Sequence, residues 1–299
     1  MKAIETRALT KHYRDVRAVE DVTVALDENR IHGLLGRNGA GKTTLMRLLT
    51  GQVFATSGEM RVLGASPVEN ASVLSRTCFI QENQKYPDVF RPVDVVTVAK
   101  DIHPGWDDEL AGTLAEELRL PMRRQIRKVS RGQVSAVGIV VGLASRAPLT
   151  FFDEPYLGLD AVARQLFYDR LLADFAERPR TVVLSTHHID EAANLLEHAV
   201  VIDEGRILLD ADSDDLRAMA VRLTGQTRRV EDFLNGREVI GREQLGGLAS
   251  ITVLTGETDG STAEAARDAG LDVVPVSLQS LVVHLTTSRH SSSAAAGNR

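Results

Sequence analysis

The chain has 299 residues, 43% hydrophobic and 25% charged, enough apolar material for one large domain or a medium domain with a small addition. This composition excludes collagen-like, disulfide-rich and wholly disordered proteins. The net charge of −6 and the 4% aromatic content argue against a nucleic-acid-binding surface, so no nucleic-acid partner is expected. With Cys78 as its single cysteine, the chain cannot form an internal disulfide, and a reducing compartment is expected.

Hydropathy gives no sign of a segment that enters a membrane. The N-terminal stretch lacks the apolar core of a signal peptide. The longest nearly uncharged apolar run lies between Gln133 and Arg146, which is shorter than the roughly 20 residues that a membrane-spanning helix needs. We therefore expect a cytoplasmic chain that reaches a membrane only through a partner.

Short strand-like runs alternate with helical stretches through most of the chain. Strand patterns cover Ile31–Leu35, Leu149–Phe152 and Thr181–Ser185, and a helical pattern begins after Lys42 and stops at Gly51. This alternation predicts an α/β fold with a largely parallel central sheet and helices on its faces.

The sequence pattern changes between residues 216 and 225. We predict a first domain over residues 1–220 and a small β/α domain over 221–287. A low-complexity end over 288–299 is predicted to be disordered. Residues 227–244 are rich in charge, and the predicted elements that follow are a strand, a helix, a strand and a helix, at Ser250–Leu254, Thr262–Ala269, Leu271–Val276 and Leu278–Leu285.

A glycine-rich loop lies between the first predicted strand and the helix after it. Residues 36–43 fit the pattern G-x-x-x-x-G-K-[ST], whose glycines let backbone amides surround a phosphate at a helix N-terminus. Lys42 is placed to reach the β- and γ-phosphates of ATP, and the Thr43 hydroxyl to bind Mg²⁺. The predicted nucleotide-binding residues here are Gly36, Arg37, Asn38, Gly39, Ala40, Gly41, Lys42, Thr43 and Thr44.

Two carboxylates follow the apolar strand at residues 149–152. Asp153 is predicted to hold Mg²⁺, directly or through water. Glu154 is predicted to act as the base that activates an attacking water. Two acids at a strand end can also be merely solvated, but their pairing with a phosphate-binding loop favours a catalytic site.

Further motifs appear once each and in a fixed order. With them, residues 1–212 resemble the ATPase subunit of an ABC transporter, a phosphate-loop NTPase fold with a helical subdomain that carries the family signature. The matching features, in chain order, are the aromatic Tyr13, the phosphate loop, Gln81 after a strand, the signature-like Val129–Gln133, Asp153 with Glu154, the stretch Leu157–Asp160 and His187.

The resemblance implies a role for each motif. Tyr13 would stack on adenine, Gln81 would sense Mg²⁺ and the membrane partner, and His187 would contact the γ-phosphate. The signature, here Ser130, Arg131, Gly132 and Gln133, would close on the ATP bound to a second subunit. The loop that contains Asp160 would also extend to that second subunit. Two ATP molecules would then be enclosed in a dimer, formed by two copies of this chain or by a related chain.

Some residues depart from the family pattern or compete with the assignments. Arg131 replaces a usual glycine, and it could either add a contact to phosphate or crowd the loop. Tyr156 stands where a small residue is common, a change expected to have little effect on catalysis. Gln84 is the alternative to Gln81, and His188 the alternative to His187.

The resemblance implies an ATP-hydrolysing subunit, with ATP and Mg²⁺ as ligands, that powers a separate polytopic permease from the inner face of the membrane. The compact chain with its short β/α addition resembles bacterial subunits of exporters. The alternative is a non-transport ATPase of the same type that acts on ribosomes or chromosomes. A small-molecule kinase would not account for the signature, Gln81 and His187 together.

Overall fold

The computed structural model describes residues 1–234, 236–255 and 261–296. The chain divides into two compact units. The first contains Met1–His187 and Val200–Asp210, and the second contains His188–Ala199 and Ala211–Arg299. The segment 188–199 therefore groups with the C-terminal unit, although it lies inside the first predicted domain in sequence. In the part of the chain that is described, no helix is long and apolar enough to cross a bilayer.

A six-stranded sheet forms the centre of the first unit, with strand order β10-β9-β4-β8-β7-β6. The pairs β4–β8, β8–β7 and β7–β6 are parallel. Strands β4, β7 and β8 are buried along their whole length, as expected for a parallel sheet covered on both faces. This arrangement confirms the predicted α/β class, and the strands are β4 Ile31–Leu35, β6 Thr77–Ile80, β7 Leu149–Asp153, β8 Thr181–Thr186, β9 His198–Asp203 and β10 Arg206–Asp212.

A second, antiparallel sheet at the N-terminus was not predicted from the sequence. Its strands are β1 Lys2–Tyr13, β2 Val16–Val22, β3 Ala25–Asp27 and β5 Ser57–Val62, and the long strand β1 pairs with each of the other three. Leu9 on β1, Met46 on the helix after the phosphate loop and Phe151 on β7 belong to one core cluster. The two sheets thus share a core that includes this helix.

Six α-helices complete the described part of the first unit. They are α1 Lys42–Leu49, α2 Ala71–Leu74, α3 Pro92–Ile102, α4 Asp108–Glu117, α5 Arg131–Ala144 and α6 Ala161–Glu177. Helix α5 contacts α3 and α4 and also packs on the central sheet. A β-carbon at Gly142 would lie 2.4 Å from the Phe152 ring, so only glycine lets α5 approach β7 this closely. The C-terminal half of α5 is thereby packed closely on the strand that ends in Asp153.

The C-terminal unit contains a four-stranded sheet with two helices in a βαββαβ sequence. Its strand order is β12-β13-β11-β14, and every pair is antiparallel, which is the ferredoxin-like arrangement. This unit has a small core of its own, which includes Leu223, Ile251 and Val253. The elements are α7 Ile189–Ala192, α8 Ser213–Ala218, β11 Ala220–Gln226, α9 Thr227–Phe233, β12 Val239–Leu245, β13 Leu248–Leu254, α10 Ser261–Asp268, β14 Asp272–Pro275 and α11 Leu278–Ala296.

Strands β11 and β12 of this unit were not predicted from the sequence. Strand β12 is mostly exposed and carries charge because it lies at the sheet edge, so it lacks the pattern of a buried strand. Helix α11 spans Leu278–Ala296 and includes residues 288–296 of the low-complexity end, where alanine, the strongest helix former, occupies the last positions. Residues 297–299 of the predicted tail lie outside the described residues.

Candidate nucleotide-binding and hydrolysis site

The phosphate loop joins β4 to α1, and its glycines are required by close backbone contacts. Gly41 has φ +110°, and a β-carbon there would lie 2.3 Å from the Ala18 carbonyl oxygen. At Gly36, a β-carbon would lie 2.1 Å from the Ile202 carbonyl oxygen. Helix α1 begins directly after Gly41, so its free amides and the positive end of its dipole face the loop. The backbone is thus shaped to hold an anion.

Lys42 is buried within this loop. Its Nζ donates to the carbonyl oxygens of Gly36 at 2.7 Å and Arg37 at 3.2 Å, and it lies 3.9 Å from Glu154 Oε1. Burial lowers the pKa of Lys42, while the carboxylates of Glu154 and Asp153 act in the opposite direction. An ammonium that has lost most of its water gains strongly from a phosphate group placed beside it.

Asp153 and Thr43 meet where a magnesium ion would be needed. Thr43 Oγ1 donates to Asp153 Oδ2 at 2.6 Å, and Ser185 Oγ donates to Asp153 Oδ1, also at 2.6 Å. Among the described residues there is no cluster of three or more His, Cys, Asp or Glu side chains that could hold a metal. One hydroxyl and one carboxylate suit Mg²⁺, which takes its other ligands from water and nucleotide phosphates. The donor set therefore fits this ion.

Glu154 occupies a strained position directly after β7. It is a buried, non-glycine residue with φ +48°, a conformation that persists only when the surroundings impose it. Its Oε2 lies 2.7 Å from His187 Nδ1 and accepts a hydrogen bond from the Tyr156 hydroxyl at 2.8 Å. Because a carboxylate only accepts, the His187 ring must carry its proton on Nδ1. The predicted base and the predicted switch histidine are thus in direct contact.

These groups surround a cavity of about 610 Å³. The predicted residues Arg37 to Thr44, Asp153, Glu154 and His187 line it together. Leu157, the first residue of the motif Leu157–Asp160, also lines the cavity, together with Val16, Arg17, Ala18, Glu82 and Glu204, which were not predicted from the sequence. No motif marks these five residues, because they come from strand ends and turns that only the folded chain brings to the loop.

Tyr13 and Gln81, like Gly36, Asp160 and the signature residues, are not among the described residues that line this cavity. Tyr13 is 42% exposed, and Lys11 Nζ lies 4.9 Å from the centre of its ring. The Gln81 amide contacts α1 and the turn after it, accepting from Arg47 at 3.2 Å and donating to Gln52 at 3.3 Å. The backbone amide of Gln81 donates to the side chain of the alternative residue, Gln84, at 3.3 Å.

The signature residues are built into the start of α5 and are not among the described residues that line the cavity. Ser130 caps the helix, its Oγ accepting from the Gln133 amide at 3.2 Å while the Gln133 side chain accepts from the Ser130 amide at 3.0 Å. The Arg131 guanidinium donates to the Asn83 side-chain oxygen at 2.8 Å. This contact directs Arg131 to the loop after β6, a third possibility beside the two expected for this departure.

The signature packs against the loop that follows Glu154. A β-carbon at Gly132 would lie 2.3 Å from the Gly158 carbonyl oxygen, and Ser135 Oγ donates to the Leu157 carbonyl at 2.6 Å. Asp160 caps α6 by accepting from the Ala163 amide at 2.8 Å. A displacement of the loop 157–160 would therefore be transmitted to the start of α5.

Comparison with known proteins agrees with this geometry. Residues 19–157 match the family model described as ABC transporter. The chain is 30% identical over 255 residues to the glycine betaine uptake system ATP-binding protein YehX of Escherichia coli, which covers 81% of this chain and 78% of that protein. The chain belongs to the ABC transporter ATP-binding proteins. It is accordingly a nucleotide-binding ATPase subunit, as the motifs predicted.

Other relatives of this ABC ATPase include one that is named for export. The Nod factor export ATP-binding protein I of Cupriavidus pinatubonensis is 30% identical to this chain over 219 residues. The match covers 71% of this chain and 67% of that protein. The ABC transporter ATP-binding protein YtrB of Bacillus subtilis is 26% identical over 220 residues, and the match covers 74% of this chain and 75% of that protein.

Solved structures show the same fold. An ATP-binding subunit of an ABC transporter superposes with a TM-score of 0.65 at 25% identity, covering 72% of this chain and 92% of that one. A dimeric ATP-binding cassette described as a post-hydrolysis state with ADP and Pi has a TM-score of 0.62 at 19% identity, covering 70% and 98%. The second likeness is one of fold alone.

Proposed function

We propose that this ABC ATPase works as a dimer that encloses two ATP molecules, each held by the phosphate loop of one subunit and the signature of the other. The observation that carries the proposal is the position of Ser130–Gln133, which are not among the described lining residues of the cavity of their own chain yet are held to the loop 157–160. A signature placed in this way is available to a phosphate bound by a second subunit. The dimeric solved cassette of the same fold supports the arrangement.

Within each site, the chain's own residues supply the chemistry of hydrolysis. Lys42 and the amides at the start of α1 bind the phosphates, and Thr43 with Asp153 would hold Mg²⁺. When bound there, Mg²⁺ supplies positive charge that offsets the charge of the phosphates. Glu154 accepts the proton of the attacking water. His187, which contacts Glu154, orients this water towards the γ-phosphate.

Tyr13 and Gln81 retain proposed roles at the edge of the site. Tyr13 pairs in register with Val16, which lines the cavity, so an adenine stacked on its exposed ring would lie at the cavity mouth. Gln81 directly precedes Glu82, which also lines the cavity. A shift of this loop would carry the Gln81 amide towards Mg²⁺ and would connect the site to a membrane partner.

A test of the shared site mixes two inactive variants. In a mixed dimer, the phosphate loop damaged by Lys42→Ala faces the signature damaged by Ser130→Arg, so both changes lie in the same shared site. Neither variant alone has a complete site, whereas a mixed dimer regains one intact phosphate loop facing one intact signature. We expect each variant to be inactive and the mixture to recover ATPase activity of the order of one site per mixed dimer, measured as phosphate release.

The matched control combines Lys42→Ala with Glu154→Gln, two changes on the same side of the shared site. Mixed dimers of this pair retain no complete site, so no recovery is expected. Normal hydrolysis by either Lys42→Ala or Ser130→Arg alone, or equal recovery in both mixtures, would contradict the shared-site arrangement.

We further propose that the dimer drives a separate polytopic permease from the cytoplasmic face of the membrane, in the direction of export. Relatives named for export and for uptake both match this chain, and the direction of export is proposed on the resemblance of the chain with its short β/α addition to bacterial exporter subunits. The test is affinity capture of the chain from mild-detergent extracts, followed by transport assays of the captured permease in inside-out vesicles. ATP-dependent uptake into such vesicles is expected for export. Capture of ribosomes or chromosomal DNA without a multi-span protein would contradict the proposal.

A further inference from the structure

Tyr156 is a buried side chain that contacts the proposed base and to which no motif assigns a role. It lies two residues after Glu154, and its ring packs against Tyr168 and His187 at centroid distances of 6.0 Å and 6.3 Å. Its hydroxyl contacts Glu154 Oε2 and the Thr186 hydroxyl. A large polar side chain buried at this point must have its hydroxyl satisfied, and these two contacts satisfy it.

The direction of the hydrogen bonds follows from the chemistry of the three groups. The ionised Glu154 carboxylate only accepts, so the phenol donates its single proton to Oε2. The Thr186 hydroxyl then donates to the Tyr156 oxygen. Burial, together with the adjacent Glu154 carboxylate, raises the pKa of Tyr156 well above its ordinary value, so the phenol keeps the proton that it donates.

These contacts divide the two oxygens of Glu154 into different roles. Oε2 receives bonds from Tyr156 and from His187, which occupy its lone pairs. Oε1 is buried, has no hydrogen-bond partner among the described residues, and lies 3.9 Å from Lys42 Nζ. One oxygen is therefore held by the protein, and the other is left to accept a proton from water.

We propose that Tyr156 is a positioning residue for hydrolysis, which holds the Glu154 carboxylate in the orientation that presents Oε1 to the attacking water. This inference rests on the proposed role of Glu154 as the base. It reverses the expectation that a tyrosine at this position has little catalytic effect. A residue without the hydroxyl would leave Glu154 Oε2 with His187 as its one remaining partner among the described contacts, and His187 is itself 40% exposed.

The test compares Tyr156→Phe with Tyr168→Phe. Tyr156→Phe keeps the ring and its packing but removes the hydrogen bond to Glu154. We expect kcat for ATP to fall about tenfold, the effect of one charge-assisted hydrogen bond, with KM unchanged because no phosphate contact is lost. Tyr168→Phe deletes the hydroxyl of the neighbouring buried tyrosine and should leave kcat near that of the wild type. Wild-type kcat in Tyr156→Phe would overturn the inference.

A second comparison asks whether Tyr156 acts through Glu154. In a Glu154→Asp background the carboxylate is one methylene shorter and withdraws from the phenol, so adding Tyr156→Phe should cause no further loss. The same tenfold loss in that background would overturn the inference. Should Tyr156→Phe fail to fold, Thr186→Val is the alternative test, because it removes the second hydrogen-bond partner of the Tyr156 hydroxyl. A lowered kcat in Thr186→Val would support the inference, and a wild-type kcat would refute it. Failure of the proposed function is distinguishable, because Glu154→Gln would then keep normal turnover.

Discussion

Glu154→Gln is expected to lower ATP turnover by about 10²–10⁴-fold while leaving ATP binding intact. The amide cannot accept the proton of the attacking water, whereas the contacts of Lys42, Thr43 and Asp153 do not involve this carboxylate as a base. The variant should therefore accumulate as an ATP-bound dimer. Single-turnover phosphate release measures the loss, and size exclusion with and without ATP detects the dimer.

The matched control is Glu82→Gln, which neutralises another carboxylate of the same cavity. Glu82 has no proposed part in proton transfer, so its replacement should cause a much smaller fall in turnover. Turnover at the wild-type level in Glu154→Gln would show that another group is the base. A monomeric variant that no longer binds ATP would show instead that Glu154 supports the phosphate loop.

Lys42→Met should fail at an earlier step, by losing affinity for ATP. The Lys42 ammonium is buried and already partly dehydrated, so a methionine of similar length keeps the packing while removing the charge that pairs with phosphate. A hydrogen bond to a charged group contributes about 1.5–3 kcal/mol, so we expect at least about a tenfold rise in Kd, and more if the ammonium contacts two phosphates. Equilibrium binding of a fluorescent ATP analogue measures the change.

Lys100→Met provides the control for this substitution. Lys100 is an exposed lysine on α3 that pairs with Asp108, remote in sequence from the phosphate loop and absent from the described cavity lining. Its replacement should leave the Kd for ATP unchanged. An unchanged Kd in Lys42→Met would mean that the loop amides alone bind the phosphates.

Local sequence patterns were sufficient for much of the site. The loop at residues 36–43 is short and its function depends on backbone shape, so glycine spacing predicts it directly. Asp153 and Glu154 follow a continuous apolar strand, and the parallel pairing of β7 with β4 through β8 brings them to the loop, as the predicted fold required. His187 lies beside Glu154 for the same reason, since β8 ends next to β7.

The sequence by itself thus determined the parallel α/β core, the phosphate loop and the order of its motifs, because these depend on residues close together in the chain. Only the tertiary structure decided which distant groups meet. It showed the antiparallel N-terminal sheet, the ferredoxin-like C-terminal unit with its charged edge strand β12, and the position of Gln81 against α1. It also showed that Tyr156 bonds to Glu154, because a side-chain contact depends on backbone direction and burial, which no spacing in the sequence records.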